Sequence, residues 1–329
     1  MMQTDDHPFS KLRPEFILNT IDAKGFSVDA RILELNSYEN RVYQIGLEGN
    51  DSLIAKFYRP NRWTIEQIQE EHDFLSELAL NELSVVAPMI VDEASQFRSG
   101  EFNVALFEKR GGRTPSIENA ASLETLGRTI AQIHNVGATK NFEHRPSINT
   151  NDYGISSKVW LLENHFIPPN LEKQYDQICT ELTMLTEEKL KNFESEKIRI
   201  HADCHLGNIL WREEHPHFVD FDDSRSGPAI QDLWMFLSGN EAEKSVQMAH
   251  VIRGYLVFRD FDFAELSLIE CLRTLRIMRH SAWIGRRWSD PAFPRAFPFF
   301  NTEKYWSEHI GQLIEQRELI EAPSIVIQI

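Results

Sequence analysis

Three polar side chains, Asp203, Asn208 and Asp220, lie in two neighbouring connections of the chain at spacings that suit a particular chemistry. The β-prone residues at 209–211 and 217–221 predict two short strands, one after Asn208 and one ending near Asp220. Phosphoryl transfer needs a carboxylate that receives the hydroxyl proton of the acceptor, and it needs oxygen ligands that hold Mg²⁺ against nucleotide phosphates. The sequence therefore predicts Asp203 and Asp220 as catalytic residues, with Asn208 and Asp220 as metal ligands.

Each fragment of this stretch also has a simpler interpretation. Asp and Asn in loops often bond their own backbone in turns, and the run DFDD at 220–223 is typical of a solvated strand end. The combination is more specific than its parts, because His201 and His205 lie on either side of Asp203 and Gly207 precedes Asn208.

Two segments resemble a known family. HADCHLGNIL (201–210) is similar to the HGDLHxGN loop of the aminoglycoside phosphotransferase and choline kinase-like enzymes, and FVDFDDSRSGPAIQDLW (218–234) resembles the metal-binding segment that follows it. The likeness to one member, a stress-response kinase, extends from about residue 15 to 315. The resemblance implies ATP and Mg²⁺ as cofactors. It also implies that Asp232 bonds the backbone of the catalytic loop, a role compatible with capping its own helix.

A lysine on a strand and a glutamate on the following helix form a second candidate group. Lys56 lies among apolar residues of a predicted strand, where a lysine requires a partner. In the kinase-like family such a lysine holds the α- and β-phosphates and pairs with a helix glutamate. The resemblance favours Glu71, with Glu70 as the alternative. There is no glycine-rich phosphate loop here, but the Ser37 hydroxyl and the backbone of NSYEN can cradle phosphate.

The remaining candidates concern adenine, the acceptor and redox chemistry. Phe107 and Lys109 would border a hinge whose backbone bonds adenine. Among the arginines of 266–288, those that face a cleft would bind an acidic acceptor, and the alternative is pairing with the chain's own carboxylates. Cys204 adjoins Asp203 and could be redox-sensitive, although a small loop residue is the simpler interpretation.

Composition excludes several classes of function. The net charge of −16 argues against nucleic-acid binding and against binding to anionic membranes, since both depend on positive charge. Three widely spaced cysteines without a CxxC pair indicate neither zinc nor a disulfide framework. No signal-like or membrane-length apolar run is present, so a cytosolic monomer is expected.

The predicted strands and helices indicate an α+β chain, and the family resemblance implies that its fold is bilobal and protein-kinase-like. A small antiparallel-sheet lobe at residues 1–109 would bind the nucleotide, and a larger, mainly helical lobe at 110–329 would carry the catalytic and acceptor sites. The predicted reaction is transfer of the ATP γ-phosphoryl group to a hydroxyl. The closest resemblance implies a serine or threonine of a protein in a bacterial stress response, with autophosphorylation. The wider family implies choline, homoserine, a sugar or an aminoglycoside, and a non-catalytic binding scaffold is the third possibility.

Overall fold

The structure is a computed structural model that describes residues 7–193, 196–213 and 215–329. The chain forms two compact units. The first comprises Met1–Ser116, Phe142–Arg145 and His205–Ser224. The second comprises Ile117–Asn141, Pro146–Cys204 and Arg225–Ile329. The predicted lobe boundary between residues 109 and 110 stays a prediction.

The first unit is built on a five-stranded antiparallel sheet with the order β1-β2-β3-β5-β4. Its strands are β1 (Val28–Glu34), β2 (Arg41–Leu47), β3 (Ser52–Phe57), β4 (Phe97–Ser99) and β5 (Phe102–Glu108). Alternating apolar residues such as Tyr43 and Ile45 point into one core. Gly49 and Asn50 have positive φ values of 84° and 73°, which lets β2 turn tightly into β3.

Two helices and a hairpin complete this unit: α1 (Pro14–Asp22), α2 (Ile65–Leu80), β7 (Ile209–Arg212) and β8 (His215–Phe218). Helix α2 begins at a capping box, in which the Thr64 side chain accepts the Gln67 N–H and the Gln67 side chain accepts the Thr64 N–H. Strand β8 begins before the predicted residue 217. It also ends before the predicted residue 221, because 221–223 form a 3₁₀ turn.

The second unit is mainly helical, with one two-stranded sheet. Its elements are α3 (Ala120–Gly137), α4 (Ser156–Glu163), α5 (Glu172–Lys191), β6 (Ile198–Ile200), β9 (Arg225–Gly227), α6 (Gln231–Trp234), α7 (Glu241–Tyr255), α8 (Ile269–Arg286), α9 (Ala292–Ala296) and α10 (Glu303–Glu321). Helices α3 and α7 approach closely because Gly127 and Gly254 face the partner backbone, where a Cβ would lie 2.0 Å from a carbonyl oxygen.

The α+β fold class predicted from the sequence is confirmed. Residues 139–170 carry a π-helical turn and α4 between loop segments. Prolines flank that helix on both sides without entering it, so they mark its limits. Among the described residues, no helix is long and apolar enough to cross a membrane.

Candidate active site

Lys56 is the buried cation of the first unit. It lies on β3 opposite Val42 on one side and Ala105 on the other, and the residue is 6% exposed. Its Nζ lies 3.2 Å from Glu71 Oε1, 3.1 Å from Asp222 Oδ1 and 3.6 Å from Asp220 Oδ1. Burial opposes the charged form, but the Asp222 and Glu71 carboxylates hold the pKa of Lys56 well above its usual range. The ammonium is therefore charged at neutral pH.

The glutamate that faces this ammonium is Glu71. Its carboxylate also accepts the Tyr58 hydroxyl and an Arg145 guanidinium N–H, both at 3.4 Å. The adjacent Glu70 has a different environment: its carboxylate accepts the backbone N–H groups of residues 143–145. The two glutamates left open by the sequence are thus distinguished by their contacts.

A buried chain of polar groups supports the Lys56–Glu71 pair from behind. The Tyr58 hydroxyl lies 2.8 Å from His72 Nε2, and His72 Nδ1 lies 2.9 Å from Ser95 Oγ. Burial, followed by the Lys56 and Arg145 cations, lowers the pKa of His72 to about 3. A neutral imidazole can donate at one nitrogen and accept at the other, so it links both hydroxyls.

Asp222 was not among the residues that sequence reasoning selected. It is 4% exposed, contacts Lys56 and forms an ion pair with Arg62, which also lies 3.0 Å from Asp223 Oδ2. Burial alone would raise the pKa of Asp222, but Arg62 and Lys56 lower it to about 2. The available signal was Phe221: a large apolar residue inside DFDD indicates that this segment is packed and not a solvated strand end.

Asn208 and Asp220 are brought together by the β7–β8 hairpin. Ile209 pairs with Phe218, and the next N–H, that of Val219, donates to the Asn208 carbonyl at 3.0 Å. Asp220 adopts a left-handed conformation (φ 60°, ψ 61°), and its side chain is 51% exposed. A non-glycine residue in this region carries backbone strain, and such strain clusters at functional sites.

The residues at this position fit Mg²⁺. Magnesium is commonly held by one or two protein oxygens, with water and substrate phosphates completing its coordination. An exposed carboxylate beside an amide side chain meets that requirement. Among the described residues there is no group of three or more His, Cys, Asp or Glu side chains that could hold a metal, so a protein-only metal cage is absent from them.

The other nucleotide-site candidates lie on the same sheet or beside it. Phe107 is on β5 and is half-buried, with its ring 6.3 Å from that of His72. Lys109 lies in the exposed segment after β5, and Ser37 lies in the connection between β1 and β2. Within the described part of the chain, neither Ser37 nor Lys109 forms a hydrogen bond or ion pair with the Lys56 cluster.

Asp203 belongs to the second unit, where Asp232 fixes its loop. The Asp232 carboxylate accepts the N–H groups of His201 and Ala202, both at 2.8 Å, and lies 3.1 Å from His134 Nε2. Both Asp232 and His134 are buried. These contacts hold Ala202 at a positive φ of 66°, so the loop turns sharply just before Asp203.

The carboxylate of Asp203 is partly exposed and bonds an arginine of α8: Arg276 Nη1 lies 2.6 Å from Asp203 Oδ1. The neighbouring Cys204 is buried, and burial, with the Asp232 and Asp203 charges, raises the pKa of its thiol well above the usual range. Because reactivity requires the thiolate, this environment disfavours a redox role for Cys204.

The fold is that of a phosphotransferase. Residues 31–269 match the phosphotransferase enzyme family, and the chain belongs to that family. The chain is 40% identical over 325 residues to stress response kinase A of Escherichia coli O157:H7, with 98% of each chain covered. It is 38% identical, with the same coverage, to the serine/threonine protein kinase RdoA of Salmonella typhimurium strain LT2.

A solved structure shows the same fold at low identity. The amicoumacin kinase hAmiN, in complex with AMP-PNP, Ca²⁺ and amicoumacin, superimposes with a TM-score of 0.74 at 19% identity, covering 94% of each chain. The kinase-like fold predicted from the sequence is therefore confirmed, and the chain is similar to kinases of the stress response.

Proposed function

We propose that the chain is an Mg²⁺-dependent kinase that transfers the γ-phosphoryl group of ATP to a serine or threonine of a protein in a bacterial stress response. The observation that carries the proposal is the Lys56 group: a buried ammonium between Glu71 and Asp222, with the exposed carboxylate of Asp220 3.6 Å away. An ammonium held in this way is a fixed positive charge for nucleotide phosphates.

Each residue then has one task. Lys56 binds the α- and β-phosphates, Glu71 and Asp222 orient it, and Asn208 and Asp220 would hold Mg²⁺, which neutralises charge on the phosphates when bound. Ser37 contacts phosphate, and the backbone around Phe107 and Lys109 bonds adenine. These contributions are mainly positioning and charge neutralisation, because the phosphoryl group needs little covalent assistance.

Asp203 acts on the acceptor. Its carboxylate orients the hydroxyl and receives the proton as the oxygen bonds phosphorus and the bond from phosphorus to ADP breaks. Arg276 and the Asp232-bound loop hold Asp203 for this step.

A protein acceptor is favoured over a small metabolite by the two relatives named as a stress response kinase and a serine/threonine protein kinase, since each covers 98% of the chain. A small-alcohol acceptor is the second candidate, because hAmiN shares the fold and was solved with amicoumacin. ATP is supplied in the cytosol, and we place the enzyme there as a monomer.

Incubation with γ-labelled ATP, Mg²⁺ and a panel of proteins and small alcohols tests the proposal. We expect label on serine or threonine, on the chain itself and on a protein acceptor. The Asp220→Asn variant should lose at least about 100-fold in turnover because its metal ligand is weakened.

The matched control is Asp92→Asn, which alters an exposed carboxylate paired only with Lys24 and should leave turnover unchanged. Near-normal activity of the Asp220→Asn variant would show that Asp220 is not a required metal ligand. If only small alcohols were labelled, the acceptor would be a small alcohol and not a protein. If no acceptor were labelled, the chain would be a binding scaffold.

A further inference from the structure

A cavity of about 600 Å³ in the second unit lies between α8 and α10. Its walls include Trp234, Arg273, Arg276, Tyr305 and His309. Cavities of this size are typical of ligand sites. The arginines are the feature to explain, since each brings a full positive charge into a wall that is otherwise largely aromatic.

Arg276 connects the cavity to the catalytic loop. One guanidinium nitrogen bonds Asp203 Oδ1 at 2.6 Å, and the side chain is 37% exposed. A guanidinium has five N–H donors. Within the described residues Asp203 is the only hydrogen-bond acceptor of Arg276, so most of its donors remain available. Arg276 therefore connects an occupant of the cavity to the proposed proton acceptor through one side chain.

Arg273 lies one turn earlier on the same face of α8. Its guanidinium stacks over the Trp234 ring at 4.8 Å, and its Nε lies 3.1 Å from Glu270 Oε2. The Glu270 contact engages only Nε, at an angle too poor for a hydrogen bond. The two terminal nitrogens of Arg273 have no acceptor among the described residues. Stacking on Trp234 fixes the plane of these donors.

The other ionisable groups of the cavity are two histidines and the carboxylate of Glu308. Burial, followed by the charge of His280, lowers the pKa of His309 to about 4. The ring of His280 is open to solvent from the cavity, yet desolvation by the surrounding protein and the Arg276 cation lower its pKa to about 4. Glu308 lies at the exposed rim, 3.7 Å from Lys304. At neutral pH the cations of the cavity are therefore the two arginines.

The opposite wall is aromatic and neutral. The rings of Tyr305 and His309 stack with centroids 5.7 Å apart and planes at 10°. Ser281 Oγ lies 3.0 Å from the Tyr305 hydroxyl and 3.3 Å from His309 Nε2, which fixes both rings. The cavity thus offers oriented cationic donors on one side and a rigid aromatic surface on the other.

We propose that this cavity binds the acceptor segment beside the hydroxyl that is phosphorylated, and that this segment carries an anionic group; in a protein, an acidic side chain flanks the target serine or threonine. The inference rests on the proposed phosphoryl transfer. Planar guanidinium donors suit a carboxylate, and like charge rejects cationic acceptors such as choline or an aminoglycoside. The cavity is a local exception in a chain of net charge −16, which overall attracts basic partners.

The test compares three serine peptides that are identical except for the residues flanking serine, which are Glu, Gln or Lys. Their dissociation constants are measured by calorimetry on the full chain with AMP-PNP and Mg²⁺. We expect the Glu peptide to bind about tenfold more tightly than the Gln peptide, since a charge-assisted hydrogen bond contributes about that factor or more. The Lys peptide should bind most weakly.

Arg273→Gln is the deciding variant, because Arg273 does not touch Asp203 in the described structure. It should bind the Glu peptide no more tightly than the Gln peptide. Arg273→Lys, which keeps the charge but loses the planar donors, should lie between. Arg286→Gln is the matched control on the same helix: Arg286 donates to Ser156 and does not line the cavity, so the preference for Glu should persist.

Equal binding of the Glu and Gln peptides to the wild type, tightest binding of the Lys peptide, or an unchanged Glu preference in a folded Arg273→Gln variant would each overturn the proposal. Nucleotide binding by the wild type is measured separately. If ATP is neither bound nor consumed, the proposed function is wrong. The inferred preference for acidic acceptors is judged separately, from the peptide dissociation constants.

Discussion

At the scale of residues, Asp222 determines how the charges of the first unit balance. It contacts the two buried cations Lys56 and Arg62, and its backbone carbonyl accepts Arg145. Desolvating several charges is costly, so the group is stable only when each charge has its counterpart. Removal of one carboxylate therefore affects the whole group.

The first prediction at this scale is that Asp222→Asn lowers the free energy of unfolding by about 3–5 kcal/mol, because it leaves buried cations without a counter-charge. Urea denaturation measures this change. The loss should shrink as pH falls below about 4: the folded pKa of Asp222 is depressed, so its stabilisation is present above the unfolded pKa and lost as pH falls through the folded value.

Asp223→Asn is the matched control, since Asp223 is the next residue, is more exposed and lies 3.0 Å from Arg62. It should cost about 1 kcal/mol or less. Equal losses in the two variants would mean that the group is not organised around Asp222.

At the scale of elements, the loop from 201 to 205 is held by a helix that follows it. Asp232 on α6 binds two successive backbone N–H groups, and its other contact, His134, lies 2.9 Å from the Tyr255 hydroxyl. The arrangement ties α3, α6 and α7 to the loop that carries Asp203. Its rigidity places the carboxylate where Arg276 can reach it.

Asp232→Asn should therefore impair the loop more than it impairs the nucleotide site. The amide NH₂ would face an N–H donor, leaving buried donors unpaired at a cost of about 3 kcal/mol. Because Asp232 and the Lys56 group belong to different units, we expect a fall in kcat with little change in the dissociation constant for ATP.

The comparison for this variant is Asp262→Asn, which alters an exposed cap that accepts the Ala264 N–H. It should cost little stability, because Asn caps a helix about as well as Asp, and it should leave kcat unchanged. A weaker affinity of Asp232→Asn for ATP, in proportion to its loss of kcat, would contradict the separation of tasks.

The sequence predicted what is encoded locally. The family resemblance implied that Lys56 pairs with a glutamate of the next helix, and the structure shows this pair with Glu71. Contacts between residues far apart along the chain could not be predicted from the sequence. Arg62 and Asp222 are 160 residues apart, and Arg145 lies 74 residues from Glu71. Both arginines pair with the chain's own carboxylates, Arg273 with Glu270 and Arg276 with Asp203, and acceptor binding by them stays a prediction.

At the scale of the whole molecule, buried titratable groups set the response to pH. His72 and His309 have folded pKa values of about 3 and 4, below the usual 6.5. Their stabilisation is present above pH 6.5 and is lost as pH falls, since only the unfolded chain binds those protons. Glu265 acts oppositely: burial raises its pKa to about 7, so its stabilisation is present below 4.5 and lost as pH rises.

Between pH 6 and 5 the two histidines outnumber Glu265, so the free energy of unfolding should fall by about 1 kcal/mol per unit of decreasing pH. Glu265→Gln keeps an oxygen for the Ile230 N–H and removes the opposing group. Denaturant titrations across this range should then give a slope steeper by about 1 kcal/mol per pH unit. An unchanged slope would mean that Glu265 titrates as an ordinary surface carboxylate.

The first unit is assembled from three separate stretches of chain, and this has a consequence for synthesis on the ribosome. Lys56 and Arg62 emerge early, but Asp222 is made 160 residues after Arg62. At roughly 5–20 residues per second, that interval lasts roughly 8–32 s. The nascent sheet therefore waits with two cations that lack one of their counter-charges, and the Lys56 group is complete only after much of the second unit has been translated.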